Sequence, residues 1–275
     1  MNRSKSVTVR DWKKFARNIS LARPDSINII RDRGSDVRIA RAIGPDGNSV
    51  VIKLWNRRGW RSWIRRLTLS NPAVREWIGF KNMQSAGLDT PEAVCCLVGI
   101  RGASHTEAVV MRDLGKCANA VDHLKELIKH GDISGEEVFV EGIVGATKKM
   151  IHRGFLDIDH RLPNFIVSKS GKPIRLDFEL IARRPWPRLW KQEYGKMLGT
   201  LIGSYVFAVQ PDVKRVKYFA QRLQEVLNPP TAVLEIAEAQ VNEMLEIQEK
   251  TTSIQVPIEK LWKSSLINKI FPQKE

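Results

Sequence analysis

Residues 151–180, IHRGFLDIDHRLPNFIVSKSGKPIRLDFEL, crowd three Asp and one Asn around two short apolar runs. Two short apolar runs, Asn164–Val167 and Ile174–Leu176, flank the turn Ser170-Gly171-Lys172 and predict a hairpin. Asp159 and Asn164 stand five apart, with Pro163 between them, immediately before the hairpin; Asp177 follows 13 residues after Asn164, at its end. Asp and Asn at a loop–strand junction can supply the oxygen ligands that Mg²⁺ takes alongside substrate phosphates. An Asp at the start of such a loop can accept the proton of an attacking hydroxyl. Asx-turn capping explains one such residue but not three at these separations. His152 and His160, eight apart, read as loop histidines packed on the fold, because no Cys or third His lies close in sequence.

Upstream, the β-branched runs Ile27–Ile30, Val37–Ile43 and Ser49–Leu54 are separated by Arg33-Gly34-Ser35 and by Gly44-Pro45-Asp46-Gly47-Asn48. These turn chemistries predict three antiparallel strands. Asn71-Pro72 opens a helix as N-cap and first helical residue, with Ala73, Trp77 and Phe80 on one face and Gly87 as its stop. Val94–Gly99 and Glu107–Met111 add two strands, giving a β-β-β-α-β-β order, preceded by a short basic helix with Trp12, Phe15 and Ile19 near helical spacing. Lys53 sits within the strand VVIKLW, where an ammonium costs free energy unless it is paired, faces water or faces a ligand. Glu76, between Arg75 and Trp77, reads by itself as a solvated helix glutamate.

Downstream the pattern is helical. A helix is expected at 118–129, a capping box at Ser134-x-x-Glu137 opens another to about 152, and three more follow at about 190–209, 212–227 and 231–248. The uncharged run Met197–Pro211 is 15 residues long, short of the ~20 a bilayer span needs, and reads as a buried core helix. Trp186, Trp190, Tyr205 and Phe207 read as core or lobe-packing residues. Cys95, Cys96 and Cys117 fit neither a disulfide framework nor a zinc motif, and Cys95-Cys96 read as buried and inert. The net charge of +15 is concentrated: the first 70 residues hold 17 basic and five acidic side chains, so this quarter is expected to meet something anionic.

Taken in order, these residues resemble the protein-kinase-like signature. Lys53 matches the lysine of the third strand and Glu76 its ion-pair partner; Asp159 and Asn164 match D-x-x-x-x-N; Asp177-Phe178-Glu179 stands in the place of D-F-G. Arg161 takes the place of the catalytic-loop lysine of many serine kinases. There are departures. No G-x-G-x-x-G is present, and only Gly34, between the first two strands, is placed to close over phosphates. Asp157-Ile158 replaces His-Arg, Glu179 replaces the glycine of D-F-G, and no A-P-E follows. The compact pattern, with VVIKLWNRRGWRSWIRRL, NPAVREW and GLDTPEAV, resembles the bacterial lipopolysaccharide kinases over residues 26 to about 185.

The resemblance implies an α+β, two-lobe protein-kinase-like fold. Its parts would be a basic N-terminal helix at 1–25, a small sheet-plus-helix lobe at 26–113, a larger helical lobe at 114–250 with the catalytic loop at 156–180, and a tail at 251–275. It implies ATP and Mg²⁺ as cofactors. Lys53, held by Glu76, would grip the α/β-phosphates; Asn164 and Asp177 would hold the metal. Asp159 would deprotonate the acceptor, with Arg161 offsetting charge, and the nucleobase would lie against Met111 to Leu114, including Asp113. The acceptor would be a sugar hydroxyl, heptose or Kdo, of lipid-linked lipopolysaccharide core. The rival readings are an atypical serine protein kinase of the RIO type and a non-catalytic pseudokinase binding membrane or RNA. Trp55–Arg66, WNRRGWRSWIRR, packs five Arg and three Trp without an acid and is expected to dock on an anionic membrane surface. Nucleic acid is not expected as a partner, and the chain is placed in the cytoplasm, peripheral on the inner face of the inner membrane.

Overall fold

The structure, a computed structural model, describes residues 7–23, 27–32, 36–56, 71–210 and 212–251. Gly34 and residues 57–66 of the expected docking segment lie outside the described residues. The chain is a mixed α and β protein, with a sheet in its N-terminal part and helices in its C-terminal part. It divides into two compact units: Met1–Gly115 with Asp177–Glu179, and Lys116–Leu176 with Leu180–Glu275.

The first unit holds a five-stranded antiparallel sheet of β1 (Asn28–Asp32), β2 (Val37–Ile43), β3 (Ser49–Trp55), β4 (Ala93–Val98) and β5 (Glu107–Arg112), in the order β1-β2-β3-β5-β4. Helix α1 (Val9–Leu21) opens on a capping box between Thr8 and Asp11. Its far end is closed by Arg38, whose Nη1 donates to the carbonyls of Ile19, Ser20 and Ala22, a cation where the helix dipole favours one. Trp12, Ala16 and Ile19 of α1 share a core with Val50, Ile52 and Leu54 of β3. Strand alternation then sends Val51, Lys53 and Trp55 to the opposite face. Helix α2 (Pro72–Ser85) starts where Asn71 Oδ1 accepts from the amides of Ala73 (2.9 Å) and Val74 (3.4 Å), and Gly87 follows its end at φ +70°. Its buried face is Ala73, Glu76, Gly79, Phe80 and Met83; Trp77 is only half-buried, off this line, with the Lys81 ammonium over its ring.

The second unit carries a three-stranded sheet, β6 (Ala118–Asn119), β8 (Phe165–Val167) and β9 (Pro173–Arg175), in the order β6-β8-β9. It also has the pair β7 (Phe155–Asp157) and β10 (Ile181–Arg183). Its helices are α3 (Ala120–His130), α4 (Ile133–His152), α5 (Lys191–Val209), α6 (Val213–Leu227) and α7 (Thr231–Thr251). The expected capping box at Ser134 is not used. Gly131 turns left-handed at φ 64° to end α3, so the chain re-enters a helix two residues earlier, with Asp132 accepting from the Gly135 amide at 2.9 Å. Helix α5 is buried nearly all round, as its uncharged run predicts. Gly195, Gly199 and Gly203 recur every four residues on it, and α7 lies directly on that stripe. A Cβ at Gly199 would stand 2.5 Å from the Ala237 carbonyl oxygen, and one at Gly203 2.8 Å from Met244 Sδ. Among the described residues no helix is long and apolar enough to cross a membrane.

Candidate active site

Lys53 is brought to its partners by β3. Its Nζ donates to Glu76 Oε2 at 3.0 Å and to Asp177 Oδ1 at 3.2 Å. The buried glutamate, 1% exposed, is therefore a partner for Lys53 and not the solvated residue its neighbours in sequence suggest. Burial works against the Lys53 charge, but Glu76 and Asp177 outweigh it and hold its pKa up. Burial pushes the Glu76 carboxyl up to about 7, against the pull of Lys53 and with the like charge of Asp177 adding to it.

Asp177-Phe178-Glu179 belongs to this unit because each of its side chains grips α2 or Lys53. Asp177 takes the left-handed backbone region at φ 61°, uncommon for a residue with a Cβ. Phe178 is fully buried, its ring 4.0 Å from that of Phe80, and its backbone lies so close to Gly79 that no side chain fits there. Glu179 pairs with Arg75. The departure from D-F-G thus has a structural use: a second tether to α2, beside Phe178. The signal in sequence was Arg75 and Gly79, three and seven residues into α2 from its first residue, Pro72.

The second unit assembles the loop between β7 and β8. Asn164 Nδ2 donates to the Asp159 carbonyl at 2.8 Å and to Asp159 Oδ2 at 3.0 Å, which leaves Asn164 Oδ1 as the atom able to face a cation. Asp159 Oδ1 accepts from Arg161 Nη2 at 2.7 Å, and the Arg161 side chain is about half exposed. Behind this loop lies a group that residue-by-residue reading missed. Asp157, His160 and Arg175 are all buried. Asp157 Oδ1 accepts from the Asp159 amide at 2.9 Å, and its Oδ2 pairs with Arg175. Arg175 Nη1 donates to His160 Nδ1 at 3.1 Å. An arginine only donates, so Nδ1 is the acceptor and Nε2–H donates to Thr147 Oγ1 at 2.9 Å, while that hydroxyl donates its own hydrogen bond to the Ile143 carbonyl at 2.8 Å. His160 is therefore neutral, its pKa pushed well down by burial and by Arg175. From α5, Ser204 Oγ accepts from the Leu162 amide at 3.0 Å and Thr200 Oγ1 donates to the Ile158 carbonyl at 3.2 Å. The signals available were the charged Arg175 inside an apolar run and two hydroxyls four apart on an otherwise apolar helix.

The structure thus unites Lys53, Glu76 and Asp177 in one unit, and Asp159, Arg161 and Asn164 in the other. Met111 is buried at the end of β5. The Asp113 carboxylate is occupied by Arg41 (2.8 Å), Ser49 Oγ (2.8 Å) and the Gly115 amide (3.1 Å). Trp55 is 2% exposed, with the Lys53 ammonium 5.0 Å from its ring centre, so it cannot take part in membrane docking. Three other expectations change. His152 is exposed in the last turn of α4 instead of packed. Trp186 and Trp190 are exposed, because the prolines on either side of Trp186 hold that segment off the core. Cys95 and Cys96 are half-buried, and burial still pushes their thiols up to about 12 and about 11, which keeps them unreactive.

No family model matches the chain, and no curated protein matches it. Among solved structures it is similar to WbdD, described as a bifunctional kinase-methyltransferase, at 15% identity and a TM-score of 0.44, covering 84% of this chain and 46% of that one. It is similar also to WbdD in co-crystal with the kinase inhibitor LY294002, at 14% identity and a TM-score of 0.44, covering 81% of this chain and 47% of that one. The chain spans less than half the length of either.

Proposed function

We propose that the chain is a kinase-like phosphotransferase that moves the γ-phosphoryl group of ATP to a sugar hydroxyl, the acceptor being a lipid-linked core saccharide of the heptose or Kdo kind. The observation that carries this reading is the pairing of a strand lysine with both a buried helix glutamate and an aspartate held at positive φ: Lys53, Glu76 and Asp177. A buried cation between two carboxylates is poised to exchange part of its pairing for phosphate oxygens. Lys53 would grip the α/β-phosphates, with Glu76 fixing its direction. The donor atoms of Asp177 and Asn164 are a carboxylate and an amide oxygen, the hard ligands that suit Mg²⁺, and the ion would neutralise charge on the phosphates. The Asp177 side chain keeps 38% of its surface exposed while bound to Lys53.

Asp159 would accept the proton of the acceptor hydroxyl as its oxygen bonds to phosphorus and the bond to ADP breaks. Its orientation is set from behind by Asp157 and from the side by Asn164, so it needs no rearrangement to act. Arg161 would offset charge on the group in transfer. Radiolabelled ATP with Mg²⁺ should label core lipopolysaccharide and not basic proteins, and the product should gain the mass of one phosphate. Label on the proteins alone would move the reading to an atypical serine protein kinase, and ATP binding with no turnover to a pseudokinase.

A further inference from the structure

Residues 183–191 read Arg-Arg-Pro-Trp-Pro-Arg-Leu-Trp-Lys and join β10 to α5. They are unlike any other described connection in the chain. Trp186 and Leu189 are each 75% exposed, and Trp190 is 41% exposed. Folding ordinarily removes such apolar side chains from water. Here the backbone prevents it. Pro185 and Pro187 exclude a regular helix or strand around Trp186, which sits in the left-handed region at φ 59°, and a 3-10 turn at Pro187–Leu189 presents Leu189 beyond it. The base of the loop is firmly held. The Arg184 amide donates to the Gly154 carbonyl at 2.5 Å, the Arg184 guanidinium lies 4.2 Å from the Trp190 ring centre, and it reaches Glu193 at 3.4 Å.

The surround of this apolar tip is cationic. Arg183, Arg188 and Lys191 are exposed on the loop itself, and no acid occurs between 183 and 191. The tie to Gly154 places the end of α4 beside it, with exposed His152 and Arg153. An indole and a leucine at the tip, ringed by arginine and lysine, have the composition of an interfacial anchor: indoles settle at headgroup depth, while cations are drawn to anionic headgroups.

We propose that the loop from Arg183 to Lys191 docks the protein on an anionic bilayer surface, with Trp186 and Leu189 inserted and Arg183, Arg188 and Lys191 at the headgroups. This stands apart from the phosphotransfer reading, since docking needs neither nucleotide nor acceptor. The test is co-sedimentation of the full chain with phosphatidylcholine vesicles, with or without phosphatidylglycerol. The wild type should bind the anionic vesicles and bind the neutral ones weakly. The double variant Trp186→Asn, Leu189→Ser should lower the partition coefficient at least about tenfold, Asn being chosen because it tolerates positive φ. The triple variant Arg183→Gln, Arg188→Gln, Lys191→Gln should lower it by roughly fivefold per cation and flatten its salt dependence. Both variants should melt as the wild type does, because the replaced side chains are exposed. Vesicle binding unchanged in both variants, or absent in the wild type, would overturn the proposal. So would a lipid-free dimer that the tip variant abolishes, which would assign the loop to contact between copies of this chain.

Discussion

The two clusters of candidate site residues are held by opposite means. Around Lys53 the functional groups hold one another: lysine, glutamate and aspartate form a network of charges, and Asp177 remains part-exposed. Around Asp159 the functional group is held by others. The buried pair Asp157–Arg175, neutral His160 and two hydroxyls of α5 fix the loop backbone, and Asp159, Arg161 and Asn164 keep part of their surface in solvent. The first arrangement can exchange a partner for a charged ligand at little cost, because one ionic contact replaces another. The second cannot give up a contact without leaving a buried charge unpaired. In the proposed reaction these two kinds of support would suit a phosphate grip and an aimed base.

The difference can be broken most sharply at Asp159. Asp159→Asn should cut turnover by about 10²–10⁴-fold while leaving ATP affinity and thermal melting near wild type, since an amide oxygen can still accept from Asn164 Nδ2 and only the basic carboxylate is lost. Turnover close to wild type would remove Asp159 from the chemistry and make the loop purely structural. Arg175→Met should do the reverse, lowering stability by about 3–5 kcal/mol in urea unfolding, because Asp157 then stays buried without its cation. A loss below 1 kcal/mol by the same principle would mean that water reaches Asp157 and that the contrast is overstated.

At the Lys53 cluster, Lys53→Met and Glu76→Gln should each weaken nucleotide binding, the first more strongly, and their effects should not add. A coupling of about 0.5–3 kcal/mol is expected in the double-mutant cycle, read by calorimetry. Additive losses would show that the pair does not act as one. Because burial lifts Glu76 to about 7, nucleotide affinity should also weaken as pH falls through that value, and Glu76→Gln should remove this dependence.

The smallest effect concerns His160. Its folded pKa lies below the usual 6.5, so below about pH 6.5 the unfolded chain binds the extra proton and the folded chain does not. Its contribution is therefore complete above that pH and is lost progressively in acid, at no more than about 1.4 kcal/mol per pH unit. The urea midpoint should fall between pH 7.5 and pH 5, and His160→Gln, which keeps one donor and one acceptor, should show a shallower fall. An identical slope in the variant would assign the acid sensitivity to other groups.

Periodicity and turn chemistry alone determined much of this protein. The order of strands and helices in the N-terminal part, the Asn71-Pro72 helix start, the hairpin around Gly171 and the wholly buried α5 follow from local patterns whose energetics involve near neighbours in the chain. Spacing drew attention to Asp159, Asn164 and Asp177, and the resemblance to the kinase-like signature added Lys53 and Glu76. What each residue touches was decided only in three dimensions, because burial and ion pairing depend on residues far away in sequence. Glu76 became a buried partner only through a lysine 23 residues earlier. Asp157 and His160 acquired their roles through Arg175, and Gly79 and Gly199 through backbone arriving from Phe178 and Ala237. Trp186 and Trp190 mark the same limit from the other side: composition assigns an indole to the core, and only the folded path of a chain between two prolines leaves it in water.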